Sequence, residues 1–190
     1  MSDERINDEA LLAAVKRLPR GAGVIFRHYG LSQSARRSLF LQVQSITRRR
    51  KLILVIAGSE RLALAWKADG FHGRTLHKSQ HRHLIRTAPV HDLIEICQAE
   101  RSGAHLLFLS PLFPTRSHPQ ATELGRVEFA FLARQARRPV VALGGMTAIQ
   151  AKILRQLNAY GWAAIDGLSK TEMKGSQMPS PLKRRQTISS

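Results

Sequence analysis

Short apolar, β-branched runs alternate along this chain with longer segments whose apolar residues recur at helical spacing. No other feature limits the fold as strongly. The runs are Gly23–Arg27, Leu52–Ile56, Gly70–His72, Leu84–Thr87, Leu106–Leu109, Val140–Leu143 and Ala163–Asp166. Between them lie predicted helices over Glu9–Leu18, Ser32–Arg50, Glu60–Lys67, His91–Ser102 and Arg126–Ala136. A last one begins at the Thr147/Gln150 capping box and runs to Leu157. Strand–helix alternation of this kind specifies an α/β fold with a parallel sheet and crossover helices. Leu39, Val43 and Ile46, preceded by Leu31 and Ala35, mark the inner face of the second helix; Leu93, Ile94 and Cys97 are expected to face inward from the fourth.

A closed parallel barrel needs eight strands, and seven are readable here. The chain opens directly on what should be the first helix, and Ser2–Arg5 reads like the loop after a first strand. The expectation is therefore a barrel lacking its first strand in this chain, either because Met1 is not the natural start or because the strand is lost. Residues 1–169 read as one domain. Residues 170–190 are rich in Ser, Lys, Arg, Gln and Pro, and read as a disordered basic tail.

Composition removes several classes. The one cysteine, Cys97, excludes a disulfide framework. No apolar run reaches the roughly 18 residues of a membrane span, and the N-terminus lacks a signal-peptide core. The reading is a cytoplasmic protein without membrane contact. The net charge of +17 comes from 30 Lys and Arg against 13 Asp and Glu. Such a balance suits nucleic acid or phosphorylated small molecules. The cations are spread along the chain, however, and the densest run, Arg48–Lys51, falls at a helix C-terminus, where it complements the helix dipole. Nucleic acid is therefore not the expected partner.

Functional groups of a parallel barrel gather just past the C-terminal ends of the strands. Arg27 ends one strand. Gly144–Gly145 links a strand to a capped helix, and backbone N–H groups there, aided by the helix dipole, suit an anion. Ser110–Pro119 is a proline-stiffened loop in which Thr115, Arg116, Ser117 and His118 offer two hydroxyls and two basic groups, suited to phosphate. Ile165–Asp166–Gly167 ends the last strand beside the glycine pair, although the Asp166 carboxylate would repel phosphate unless turned away. His72, His77, His81 and His83 lack zinc spacing and read as solvated loop histidines.

The residues also carry a resemblance. Gly103–Pro119, GAHLLFLSPLFPTRSHP, is similar to the GADYVGFGPVFPTPTKP segment of the thiamine phosphate synthase/TenI family. Pro139–Thr147 resembles its PVVAIGGIT, and Leu62–His72 its LALAxGADGVH. The likeness runs from about residue 8 to residue 168. It implies a (β/α)8 TIM-barrel fold and the joining of hydroxymethylpyrimidine pyrophosphate to thiazole phosphate. Arg27 and His118 would then be catalytic, the latter standing for a lysine. Thr115, Ser117, Gly144, Gly145, Ile165 and Asp166 would bind substrate phosphate. The family also implies Mg2+, but its two aspartates align with Gly58 and His77, so the ligands are not retained. The thiazole tautomerases have a histidine where this chain has Pro111. Three readings follow: a divergent synthase, a non-catalytic or regulatory barrel binding a phosphorylated small molecule, and a basic nucleic-acid binder. A homo-oligomer is left open.

Overall fold

In the computed structural model, which describes residues 1–115 and 122–165, seven strands form one parallel sheet in sequential order. They are β1 (Gly23–Phe26), β2 (Ile53–Ala57), β3 (Gly70–His72), β4 (Ile85–Val90), β5 (Leu106–Leu109), β6 (Val140–Ala142) and β7 (Gly161–Trp162). Helices α1 (Asp8–Arg17), α2 (Gln33–Arg50), α3 (Glu60–Trp66), α4 (Leu93–Arg101) and α5 (Gly125–Gln135) lie outside it. Their starts follow the local chemistry. The side chains of Asn7, Ser32, Ser59 and Asp92 each accept from an N–H three residues on, satisfying donors that a helix start leaves open. The Arg48–Lys51 run does end α2: Lys51 takes the left-handed cap and Arg50 Nη2 donates to Leu18 O at 2.7 Å.

The sheet is curled. Ile25, Val55, Ala57, Phe108 and Val141, from strands spread across its width, pack together on its concave face with Met1 and Ala163. Two larger apolar layers fill the convex side, one beneath α1–α3 around Phe26, Phe40 and Trp66, the other beneath α4 and α5 around Leu107, Phe129 and Leu132. The edges of the sheet, β1 and β7, are bridged by the N-terminal dipeptide. Ser2 N donates to Ile25 O at 2.8 Å and Ser2 Oγ accepts from Arg27 N at 2.9 Å, so that residue completes β1 as a neighbouring strand would. The Met1 amino group donates to Ala164 O at 2.7 Å beyond β7.

Four expectations need correction. The last strand is Gly161–Trp162 rather than Ala163–Asp166, because Tyr160 N already pairs with Val140 O. The segment after the glycine pair is a 3-10 turn, Gln150–Ile153, not a helix to Leu157. Its N–H groups reach back three residues more often than four, and such a run does not propagate. In α4 it is Ile96 and Ala99 that are buried, while Leu93, Ile94 and Cys97 are exposed. On α2, Leu31 and Ala35 lie outside the core that Leu39 and Val43 enter.

One crossover carries no helix. Residues 73–84 between β3 and β4 form a loop laid over the convex face, and Arg86 fills the space beneath it. Arg86 is 0% exposed, donates to Thr75 O (2.6 Å), His77 O (2.9 Å) and Ser102 Oγ (2.7 Å), and sits over the Phe71 ring. Two of its three partners are carbonyls of the loop itself, which truncation of the side chain would leave without a donor. Arg86→Ala should therefore destabilise the protein by about 3 kcal/mol in urea titration and make the 73–84 loop the first site cut in limited proteolysis.

Candidate functional site

Parallel pairing sends every strand's C-terminal tip to one end, and the register decides which side chains face the concavity there. Ala57, His72 and Thr87 are register partners across β2, β3 and β4. Arg27 follows Phe26, the partner of Ile56, and so stands beside Ala57 in the same row. Its only ionic contact among the described residues is a long one, Nη1 to Asp3 Oδ2 at 3.9 Å, which leaves the guanidinium open to an anion at the rim.

The turn holding Arg27 is tightly specified. His28 has φ 42°, an unfavourable backbone for a residue with a Cβ. It is buried and stacked on Phe26 at 4.8 Å, with Nδ1 3.0 Å from Ser2 Oγ. Its Nε2 is buried without a partner among the described residues, and burial lowers its pKa below the usual histidine value. From α2, Arg36 Nε donates to Arg27 O and Nη2 to Ala57 O, both at 2.8 Å, tying the tips of β1 and β2 together. Arg36 lies 5.2 Å from the ring centre of Tyr29.

On the far side, two loops meet. Leu112 N donates to Leu143 O at 2.9 Å and Phe113 N to Gly144 O at 3.2 Å. Gly144 has φ 93° and Gly145 φ 60°, both in the left-handed region that favours glycine. A Cβ on Gly144 would lie 2.7 Å from Pro111 Cα, and one on Gly145 would lie 2.5 Å from Pro114 O. The chain leading to Thr115 is thus pressed against the glycine pair, the convergence that an anion cup requires. The N–H groups of Gly144, Gly145 and Met146 donate to no acceptor among the described residues. Thr147 and Gln150 make the capping box, Gln150 Oε1 accepting from Thr147 N at 2.8 Å. The short 3-10 turn that follows supplies little dipole, so the glycine N–H groups themselves must supply the attraction. Ile165 lies just past β7, where Ala163 N still pairs with Ala142 O of the β6 tip. Ser117, His118 and Asp166 lie outside the described residues, as does the 170–190 tail.

Among the histidines, His72 was misread. It is buried, not solvated, with Nδ1 2.8 Å from Thr87 Oγ1 and its ring edge-on to Phe108 at 5.4 Å. A three-residue strand gives too little alternation to tell which way its last side chain points. His81 instead belongs to a surface contact with Glu60, its Nδ1 2.9 Å from Oε1.

The expected Mg2+ positions do not form a ligand set. Gly58 brings no side chain, and His77 is exposed, its carbonyl held by Arg86 on the convex face, away from the row of Arg27. Among the described residues no three His, Cys, Asp or Glu side chains cluster as metal ligands.

A curled parallel sheet with helices packed on its convex face defines a TIM-barrel-like class of α/β protein. Within that class the chain belongs to the thiamine monophosphate synthase (TMP-TENI) family, whose model matches residues 1–168. A thiamine-phosphate synthase of Chlorobium limicola is 27% identical over 177 residues, covering 87% of this chain and 84% of that protein. One from Methanobrevibacter smithii is 30% identical over 139 residues, covering 70% and 64%. The solved thiamine phosphate pyrophosphorylase of Pyrococcus furiosus superposes with TM-score 0.73 at 23% identity, over 86% of this chain and 82% of that one. No described helix is long and apolar enough to cross a membrane.

Two predictions follow from this geometry. Gly145→Ala should push the 111–115 segment away from the glycine turn; titration calorimetry should show inorganic phosphate bound at least ~10-fold more weakly, the loss of one to two good hydrogen bonds. Burial, with Arg27 nearby, lowers the His72 pKa from 6.5 to about 4. The unfolded chain then binds more protons between these values, so stability falls as pH drops from 6.5 towards 4, by about 3 kcal/mol in all. Urea midpoints measured across that window should show this slope in the wild type and a shallower one in His72→Asn.

Proposed function

We propose that this protein is a divergent thiamine phosphate synthase that joins hydroxymethylpyrimidine pyrophosphate to thiazole phosphate. The observation that carries this reading is the packing of the Pro111–Thr115 segment on Gly144–Gly145 opposite an open Arg27. Two anion sites facing one another across a concave mouth suit two phosphorylated substrates. Residues 1–169 act as one barrel domain, working in the cytoplasm.

Arg27 and His118 hold the pyrophosphate. The C–O bond to the pyrimidine methylene breaks, pyrophosphate leaves with the electron pair, and the thiazole nitrogen supplies the pair for the new C–N bond. Electrostatic stabilisation of the departing charge contributes most of the rate. Thr115, Ser117, the Gly144 and Gly145 amides and the backbone of Ile165 and Asp166 hold the thiazole phosphate. That arrangement fixes the nucleophile near the cation as it forms.

A second reading is a non-catalytic barrel that binds a phosphorylated small molecule, favoured by the glycine and the distant histidine at the family's metal positions. One assay separates the two. Folded wild-type protein incubated with both substrates and Mg2+ should release thiamine phosphate and pyrophosphate, and Arg27→Ala should lower kcat by about 100-fold or more. Wild-type protein that binds thiazole phosphate but forms no product would establish the second reading.

A further inference from the structure

The two anion sites account for the charged ends of the substrates and leave their rings unread. Between them the concave face is almost wholly apolar, built from Ile25, Val55, Ala57, Phe108 and Val141. His72, held by the hydroxyl of Thr87, is polar there. It is 6% exposed, and its side chain's only hydrogen bond among the described residues is through Nδ1 to Thr87 Oγ1 at 2.8 Å. The edge-on contact with Phe108 fixes the ring plane. Its Nε2 has no partner among the described residues, yet unlike His28 Nε2 it is not sealed off from solvent. A nearly buried polar atom left unpaired costs free energy unless something completes it. It stands one strand from Ala57, the residue beside Arg27.

Resting on the proposed reaction, we infer that His72 reads the heteroaromatic ring of the pyrophosphate substrate: Nε2 exchanges a hydrogen bond with a ring nitrogen or amino group, and Thr87 is the positioning residue that fixes the imidazole. The environment suits a neutral partner. Burial and Arg27 keep the imidazole uncharged at neutral pH, so it does not compete for the phosphates. An uncharged imidazole can serve as donor or acceptor at Nε2 according to the role Thr87 takes at Nδ1. A site built to hydrogen-bond a substrate group also rejects analogues that lack it.

The test compares a ring-bearing ligand, hydroxymethylpyrimidine pyrophosphate, with inorganic pyrophosphate, which has no ring. In wild-type protein with 15N-labelled histidine, the His72 Nε2 resonance should shift on adding the first and stay fixed on adding the second. This measurement needs no mutation. His72→Asn keeps a group near Nδ1 and removes the one at Nε2, whereas His72→Gln places an amide near Nε2. His72→Asn should bind the ring-bearing ligand about 10-fold more weakly, the worth of one hydrogen bond, with inorganic pyrophosphate changed less than about 2-fold, and His72→Gln should recover part of the loss. The inference is overturned if the resonance does not move, if both ligands weaken together, or if wild-type protein binds the two ligands equally. Wild-type protein that prefers the ring-bearing ligand but forms no thiamine phosphate would refute the proposed catalysis and leave this inference standing.

Discussion

The close approach of two backbones at the β5 and β6 tips is the constraint on which the rest of the site depends. Pro111 and Pro114 occupy the space that side chains on residues 144 and 145 would need. That contact requires glycine twice over, for room and for the left-handed φ values. It sets where the chain to Thr115 can run, through Leu112 N to Leu143 O and Phe113 N to Gly144 O. Those bonds use the carbonyls of the turn and leave its N–H groups pointing elsewhere. The two loops thus satisfy each other through acceptors: among the described residues Leu143 O and Gly144 O are paired and the N–H groups of Gly144, Gly145 and Met146 are not.

The other half of the mouth depends on how the open edge of the sheet is managed. An exposed parallel edge presents unpaired backbone groups that invite association. Here Ser2 meets Ile25 O and Arg27 N, and its hydroxyl also holds His28. The edge residue and the strained turn are therefore one unit, and Arg27 leaves it with its backbone committed and its guanidinium open. Arg36 acts from below, spending two guanidinium nitrogens on the carbonyls of Arg27 and Ala57. The arginines of this chain accordingly do different work. Arg36, Arg50 and Arg86 cap carbonyls inside the fold, whereas the Arg27 guanidinium donates to no carbonyl among the described residues. A formal charge of +17 describes the chain without separating these roles.

Much of this was legible in the sequence, and what was not has physical causes. Strand tips were readable because a buried parallel strand is a continuous apolar run that stops where the loop begins, as at Phe26 and Leu109. Facing direction was not. In α4 the apolar residues nearly encircle a nine-residue helix, so its packing on the sheet, not its period, selected Ile96 and Ala99. His72 ends a three-residue strand and has no alternation to lean on. In the Thr147–Leu157 segment the cap was legible and the helix after it was not, because the cap chemistry is satisfied equally by a 3-10 turn. The anchoring of residues 73–84 by Arg86 had no sequence signal at all: an arginine in a strand reads as exposed until the missing crossover helix gives it a place to go.

The departure from the family at the metal positions and the retention of the anion groups belong to one electrostatic argument. With Gly58 and His77 where the resemblance places aspartates, the one carboxylate near Arg27 among the described residues is Asp3, at 3.9 Å, and its guanidinium also lies 5.8 Å from the centre of the Tyr29 ring. The positive field this leaves is felt by His72, which Arg27 helps to keep uncharged. Among the described residues the mouth offers a divalent cation no carboxylate cluster, whereas it offers an anion one guanidinium and three amides that have no acceptor there. The same substitutions that weaken the case for a protein-bound metal therefore strengthen the case for anion binding.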